Sequence, residues 1–364
     1  MAKQSIIARL ENAAALERMT PEDMFALSRD VFIDGGLTAT DAAIAAEVAL
    51  YAQLRGSDSH GIIHLPLYVT GLVDQTIKSA PNMMMSGDMP ATRVLDADRA
   101  LGLVAGQHAI DMAIVLAQQY GLGAVSVRNS SHFGVAGYYA DRAAEAGLIG
   151  LAFSNAAPAM APTGSKQALL GTNPIAAAFP IPGENSLVVD MATTTVARSR
   201  IRHAKAQGQR IPADWALDPE GKSTTDPDLA IKGTVQPIGG PKGFALGLMV
   251  EMFCSALSDG QPGMEVTYEN FVKRPSGISQ FFLVMNPAGF AGSDRFGARA
   301  KHLAAAVRAA KPIDESKPPR LAGARGHTVE QMSRKNGIRM TDVLANALKQ
   351  TASLLLARGR STAS

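Results

Sequence analysis

The chain has 364 residues, 46% of them hydrophobic and 18% charged, so it can bury a large core and is too apolar to be disordered. Its net charge of +3 is dispersed, with no Lys/Arg-rich run, which argues against a nucleic-acid partner. With 16 Met and one Trp it is not an aromatic platform for stacking single strands.

Residues 1–19 carry charges every few positions and lack the apolar segment of a secretory signal; no element is assigned there. Thr20-Pro21-Glu22-Asp23 reads as a helix start: a capping Thr, a Pro at the first position, and acids in the first turn. That helix carries Met24, Leu27, Val31 and Phe32 on one face and stops at Gly35-Gly36. Thr38-Ala39-Thr40-Asp41 opens a second, continuing over 42–54, whose small residues suit close packing. It delivers the chain to 54–61 (LRGSDSHG), a glycine-bracketed polar turn holding Ser59 and His60. Pro66 with Leu67, Tyr68, Val69 and Leu72 predicts a further helix.

Over about 82–182 the pattern changes. Strands are expected at 92–96, 123–128, 148–153, 176–180 and 186–191, with helices at 103–120 and 135–146. Their order and short turns point to a mixed sheet rather than a series of βαβ units. Residues 204–231 form a polar, turn-rich, ordered excursion. A strongly apolar helix at 244–257, a strand at 280–287 and a helix at 298–310 follow. Residues 311–327 are Pro/Gly-rich and basic, and 341–357 is a terminal helix. The resulting division is a helical N-terminal part (20–80) contributing the active-site His, an α/β part (81–325, with 195–235 as an excursion) and a C-terminal helical segment (326–364).

A histidine at a helix exit, rigidly supported and flanked by flexible backbone, suits proton exchange near neutral pH, which nominates His60. Read alone, the same stretch also fits a plain polar helix cap. His132 sits in Asn129-Ser130-Ser131-His132-Phe133-Gly134, a strand-to-helix turn whose free N–H groups suit an anion; capping by Ser130 or Ser131 is the plainer reading. His108 and His302 fall on helix faces, and His203 and His327 in polar loops. His60 and His64 are four apart, but Pro66 and the lack of a third ligand argue against zinc, so no metal is expected. The single Cys254 reads as a small buried hydrophobe and permits no internal disulfide. With no stretch of membrane-spanning length, the expectation is a cytoplasmic protein. No G-x-G-x-x-G after a strand and no G-x-x-x-x-G-K-[ST] occur. Gly239-Gly240-Pro241-Lys242-Gly243 is the nearest substitute, a lysine at the start of an apolar helix.

Taken together, 54–61 (LRGSDSHG), 129–134 (NSSHFG), 171–174 (GTNP), 190–194 (DMATT), 211–227 (IPADWALDPEGKSTTDP), 239–243 (GGPKG) and Asn286-Pro287 resemble the malate/L-lactate dehydrogenase family of the second, non-Rossmann type, in order from about residue 20 to 325. That family includes ureidoglycolate and sulfolactate dehydrogenases, 2,3-diketogulonate reductase and Δ1-piperideine-2-carboxylate/Δ1-pyrroline-2-carboxylate reductase. The resemblance implies an α/β, sulfolactate dehydrogenase-like fold with a mixed, largely antiparallel sheet. It implies a homodimer that uses NAD or NADP to transfer a hydride to or from a small 2-hydroxy/2-oxo acid. The alternatives are a cyclic imino acid as substrate, or a non-catalytic dinucleotide-binding homologue. By the family pattern His60 is the proton donor/acceptor, Ser59 its relay neighbour and His132 a second acid/base candidate. Cofactor contacts map to His132, Phe133, Gly134, Val135 and Ala136, to Asp190, Met191 and Ala192, to Pro241 and Lys242, and loosely to Ala322, Gly323 and Ala324. Thr172 maps to a substrate contact. Two departures stand out: His64 replaces an arginine that commonly holds the substrate carboxylate, and Arg200 falls where imine reductases place a relay acid. Arg55, Arg198 or Arg200 is then expected to take over the carboxylate.

Overall fold

The computed structural model describes residues 2–267 and 273–361. Its first helix, α1 (Ala2–Ala14), lies where no element was assigned. Ile6, Leu10, Ala13 and Ala14, at helical spacing, are all buried, so the signal was present but short and diluted by charge. A two-residue strand, β1 (Arg18–Met19), precedes α2 (Pro21–Asp34) and α3 (Ala39–Leu54). The Thr20 and Thr38 hydroxyls accept the backbone N–H of Asp23 and Asp41, as the capping pattern predicts. α4 (Leu65–Val73) follows with Pro66 in its first turn.

The sheet is built from β2 (Met84–Ser86), β3 (Thr92–Asp96), β4 (Leu122–Ser130), β5 (Ile149–Ser154), β6 (Ile175–Phe179), β7 (Leu187–Met191) and a strand far along the chain, Ile278–Met285. That last strand lies between β4 and β5, antiparallel to both, and only the β3–β4 pair is parallel. Its nearly continuous apolar run explains the central place, because both of its faces are covered. Phe282 points into the main core beside Tyr139, while Phe281 points the other way, against Phe253. On the Phe282 side lie α5 (Gly102–Tyr120) and α6 (Ala136–Glu145).

After β7 the chain makes its excursion: α7 (Arg198–Ala206), β8 (Ala216–Leu217), α8 (Pro227–Lys232) and β9 (Thr234–Val235). It has a small core of its own from Val196, Ile201, Ile211, Ala216, Ala230 and Val235. Helix α7 begins before the excursion expected at 204–231, and it places His203 on an exposed helical position instead of in a loop. The apolar helix expected at 244–257 divides into α9 (Pro241–Glu251) and a π-helical turn, Met252–Ala256. Hydroxyls there turn back on the chain, Ser255 to the Glu251 carbonyl and Ser258 to that of Cys254, competing with regular α bonding.

Beyond the central strand, now β10, come α10 (Ser293–Ala309), α11 (Ala324–Asn336), β11 (Ile338–Arg339) and α12 (Asp342–Ser361). His327 lies within α11, where its Nε2 meets the Ser186 carbonyl at 3.0 Å, not in a loop. Strand β11 pairs with β1, and Leu344, Leu348 and Leu355 of α12 join the same core as Ile6 and Leu10 of α1. No helix among the described residues is long and apolar enough to cross a membrane.

Candidate active site

Helix α3 ends at Arg55, Gly56 follows with φ +70°, and the chain turns through two short 3₁₀ segments, Asp58–His60 and Ile62–His64. Gly61 lies so close to α3 that an added Cβ would stand 3.1 Å from the Ala49 carbonyl oxygen and the Gln53 amide nitrogen. That contact fixes the turn, and with it His60 and His64. Ser59 Oγ lies 2.8 Å from His60 Nδ1. His64 Nε2 lies 2.7 Å from the Ser59 carbonyl oxygen, which can only accept, so that nitrogen carries the proton.

His132 arrives from the other side, where β4 leads into α6. The Ser131 hydroxyl does not cap α6, as the plainer reading supposed; it accepts the Gly102 N–H at the start of α5. This bond anchors the turn to a second helix. His132 Nδ1 accepts the Gly134 N–H (3.3 Å) and lies 2.9 Å from the Tyr68 hydroxyl, so the neutral ring keeps its proton on Nε2. The three imidazoles form one cluster, with ring centres 5.8 Å apart for His60–His132, 4.7 Å for His64–His132 and 6.2 Å for His60–His64.

The cluster opens into a cavity of about 600 Å³ with apolar walls from Leu67, Pro158, Ile231 and Val266, among others. Thr172, Arg198, Ser199 and Arg202 supply polar groups, and no Asp or Glu lines it among the described residues. Arg198 is tied to the carbonyls of Pro158 (3.2 Å) and Ile231 (2.9 Å). Burial, assisted by the nearby His64, lowers the His60 imidazole to about 4. Burial also lowers His64, assisted by the Arg202 guanidinium and opposed by the bond to Ser59. His132 is held well below the ordinary range by burial and then by its two histidine neighbours. At neutral pH all three rings are therefore uncharged, and the positive charge of the lining comes from the two arginines.

A strip of chain leads away from this cavity. The Thr172 carbonyl accepts the Thr193 N–H, and the Thr193 carbonyl accepts the Ile238 N–H, which brings the Gly239-Gly240-Pro241-Lys242 turn alongside. Gly239 and Gly240 have φ of +60° and +64° with open space where a Cβ would be, and Lys242 is exposed in the first turn of α9. At the end of β7 just before Thr193, Asp190 accepts the Gly137 N–H at 2.9 Å and so supplies the cap that Val135 cannot give α6. The Ala322 carbonyl accepts the Val188 N–H, and Gly323 (φ +84°) fits against Val188, where a Cβ would stand 3.0 Å from the carbonyl oxygen. Exposed glycine backbone and a lysine at a helix N-terminus are a donor set that fits the phosphates of a dinucleotide. The side chains of Phe133, Val135 and Ala136 are buried.

Two expected substrate contacts are not brought to the cavity. Arg55 is committed to ion pairs with Asp141 and Glu330, both at 2.9 Å, and lies over the Tyr51 ring. Arg200 is exposed and absent from the lining, while Arg198 and Arg202 of the same helix face inward. Arg202 and Tyr68 were missed as site residues. For Arg202 the available signal was the spacing 198/202 on a helix, hidden because 198–206 was not read as helical. Tyr68 was taken as an apolar core position, and only the fold brings its hydroxyl to His132.

The malate/L-lactate dehydrogenase family model matches residues 19–349. The chain is 36% identical to L-sulfolactate dehydrogenase of Methanocaldococcus jannaschii over 91% of this chain and 95% of that protein. It is 36% identical to (2R)-3-sulfolactate dehydrogenase (NADP(+)) of Chromohalobacter salexigens, over 87% and 92% of the two chains. A ureidoglycolate dehydrogenase (NAD(+)) of Escherichia coli is 32% identical over 80% and 82%. The solved sulfolactate dehydrogenase structure from Methanocaldococcus jannaschii superposes with a TM-score of 0.86, at 36% identity, covering 93% of this chain and 97% of that one. The sheet order, the sequence motifs and these matches agree: the chain belongs to the malate/L-lactate dehydrogenase family, NAD(P)-dependent oxidoreductases of small 2-hydroxy acids.

Proposed function

We propose that the histidine-lined cavity is the catalytic centre, with His60 exchanging the substrate proton. The observation that supports it most is the ring cluster itself: three uncharged imidazoles at one end of a cavity that, among the described residues, has arginines and no carboxylate. The nicotinamide cofactor, when bound, supplies or takes up a hydride at the substrate carbon. In the oxidising direction the neutral His60 ring accepts the hydroxyl proton, and Ser59 Oγ, bonded to Nδ1, orients it. In the reducing direction an anionic substrate beside the ring raises its proton affinity, so that it can protonate the new oxyanion. His132, fixed by Tyr68 and Gly134, donates Nε2–H toward the same region, and Thr172 adds a hydroxyl. His64 occupies the place of the usual arginine as a neutral ring. The apolar walls exclude water from the reacting atoms. The strip of His132–Ala136 backbone, Asp190-Met191-Ala192, Pro241-Lys242 and 322–324 is assigned to holding the cofactor.

The division into 20–80, 81–325 and 326–364 is one of roles: the first supplies His60, the second the sheet and strip, the third the cover over α3. The exposed side chains Leu248, Met252 and Leu257, 44%, 58% and 56% exposed, form with Leu246 and Met249 an apolar face along α9 and the turn after it. A face of this kind marks an interface, which supports a homodimer. A single buried cysteine supports a cytoplasmic location.

The test is turnover of a panel of 2-oxo acids and cyclic imines with NADH and NADPH. His60→Ala is expected to lower turnover by about two to four decades while reduced-cofactor fluorescence still reports binding. Full activity in that variant, with loss in His132→Ala, moves the role to His132.

A further inference from the structure

We infer that Glu251 is a positioning residue for substrate binding: its buried carboxylate fixes Asn173 and, through it, Thr172 in the cavity wall. The inference rests on the reading of the cavity as the catalytic centre and adds to it the group that holds one wall in place.

Glu251 ends α9 at its junction with the π turn, an irregularity of a kind that often accompanies a site. Its side chain is buried, and the donors it meets are amides. Oε1 accepts Asn155 Nδ2 at 3.0 Å and the Gly263 N–H at 2.8 Å, and Oε2 accepts Asn173 Nδ2 at 2.9 Å. No cation pairs with it among the described residues. Taking a carboxylate out of water without a cation is unfavourable, and a full set of hydrogen bonds is needed to offset it. What this arrangement achieves is that one group joins three stretches of cavity wall: Asn155 leads to Pro158, Gly263 leads to Val266, and Asn173 adjoins Thr172.

The Asn173 arm bears on the chemistry. Asn173 has φ +31°, a left-handed conformation that its side-chain bonds to Glu251 and to the Gly247 carbonyl (3.0 Å) hold in place. The preceding Thr172 carbonyl accepts both the N–H (3.0 Å) and the hydroxyl (3.1 Å) of Thr193. Thr172 is therefore pinned on both sides, while its own hydroxyl makes no hydrogen bond among the described residues. It lines the cavity together with the three histidines, and a hydroxyl left free on a fixed backbone suits a substrate oxygen. E251Q separates this arm from the other two. The single carbonyl oxygen of the glutamine belongs where Oε1 stood, facing two donors, so its NH2 meets the Asn173 NH2. Turning Asn173 over sets its oxygen against the Gly247 carbonyl instead, so either arrangement leaves a clash at 173.

Pyruvate, oxaloacetate, 3-sulfopyruvate and Δ1-piperideine-2-carboxylate are offered with NADH and NADPH, and wild type, E251Q, T172V and the double variant are compared on the pair turned over fastest. E251Q and T172V are each expected to lower kcat/KM by about tenfold, the worth of one hydrogen bond, mostly through KM and with reduced-cofactor affinity unchanged. The double variant is expected to match T172V within about twofold, because Glu251 then has no hydroxyl left to place. If E251Q does not melt cooperatively, N173G takes its place in the same cycle, since glycine keeps the left-handed backbone and removes the same bond to Glu251. Losses that multiply in the double variant, full activity in either single variant, or an equal fall in cofactor affinity overturn the inference alone. A wild type inactive on every pair overturns the reading of the cavity, and this inference with it.

Discussion

In the proposed mechanism His60 exchanges the proton, and its environment sets a testable pH dependence. Burial lowers its imidazole from 6.5 to about 4 in the folded chain. A base that must be neutral is fully available above the folded value. Thus kcat/KM for oxidation of the hydroxy acid is expected to stay level from about pH 8 down to 5, to halve near pH 4 and to fall about tenfold per unit below it. The same shift bears on stability. The unfolded chain binds the proton at 6.5 and the folded chain only near 4, so the neutral ring favours the fold above 6.5 and this advantage is lost as pH falls from 6.5 toward 4. Calorimetry across that range should show Tm falling with acid, and falling less in His60→Gln. A Tm insensitive to the substitution at every pH would contradict the burial argument. The neighbouring His132 was legible as a candidate from its turn, but its tautomer was not, because Tyr68 reaches it from 64 positions away.

Between elements, the cap on α6 shows how side chains from distant segments complete local structure. Val135 occupies the cap position and offers no side-chain oxygen; the Asp190 carboxylate of β7 supplies it through the Gly137 N–H. A larger residue at 137 would displace the capping carboxylate, since a Cβ there would stand 2.8 Å from Asp190 Oδ2. Asp190→Ala is expected to destabilise by about 1 kcal/mol, the ordinary value of a lost N-cap, read as a shift in the urea midpoint at constant m. An unchanged midpoint would show that water replaces the carboxylate at no cost. The sequence displayed α2 and α3 through their Thr caps and α5 through its terminal glycine, since each of those signals acts within a few residues. It concealed the start of α7 and the π turn after α9, where basic residues and back-bonding serines weaken the local pattern.

For the whole molecule, one core joins the two ends of the chain, with α1 and α12 packed together and β1 paired with β11. An exposed apolar feature is the face of α9 and its π turn. With Met252 58% and Leu257 56% exposed, the double variant Met252→Glu/Leu257→Glu removes that face without touching the core. Light scattering on a size-exclusion column is expected to give a dimer for wild type and a monomer for the variant. A monomeric wild type, or a variant that remains dimeric, assigns the face to something other than self-association.

Composition, caps and periodicity by themselves pointed to a large mixed α/β fold, the polar turns marked His60 and His132 as chemical candidates, and the family came from the resemblance of short motifs, because all of these lie in residues close in the chain. The tertiary structure alone decided which arginines face the cavity, which residues complete the α6 cap, and that a strand from position 278 onward lies between β4 and β5. The reason is that a side chain's direction is set by the helix or strand that carries it and by whatever packs against that element. Arg200 and Arg202 are alike in sequence, yet only the second faces the cavity, since α7 turns two residues apart toward different sides.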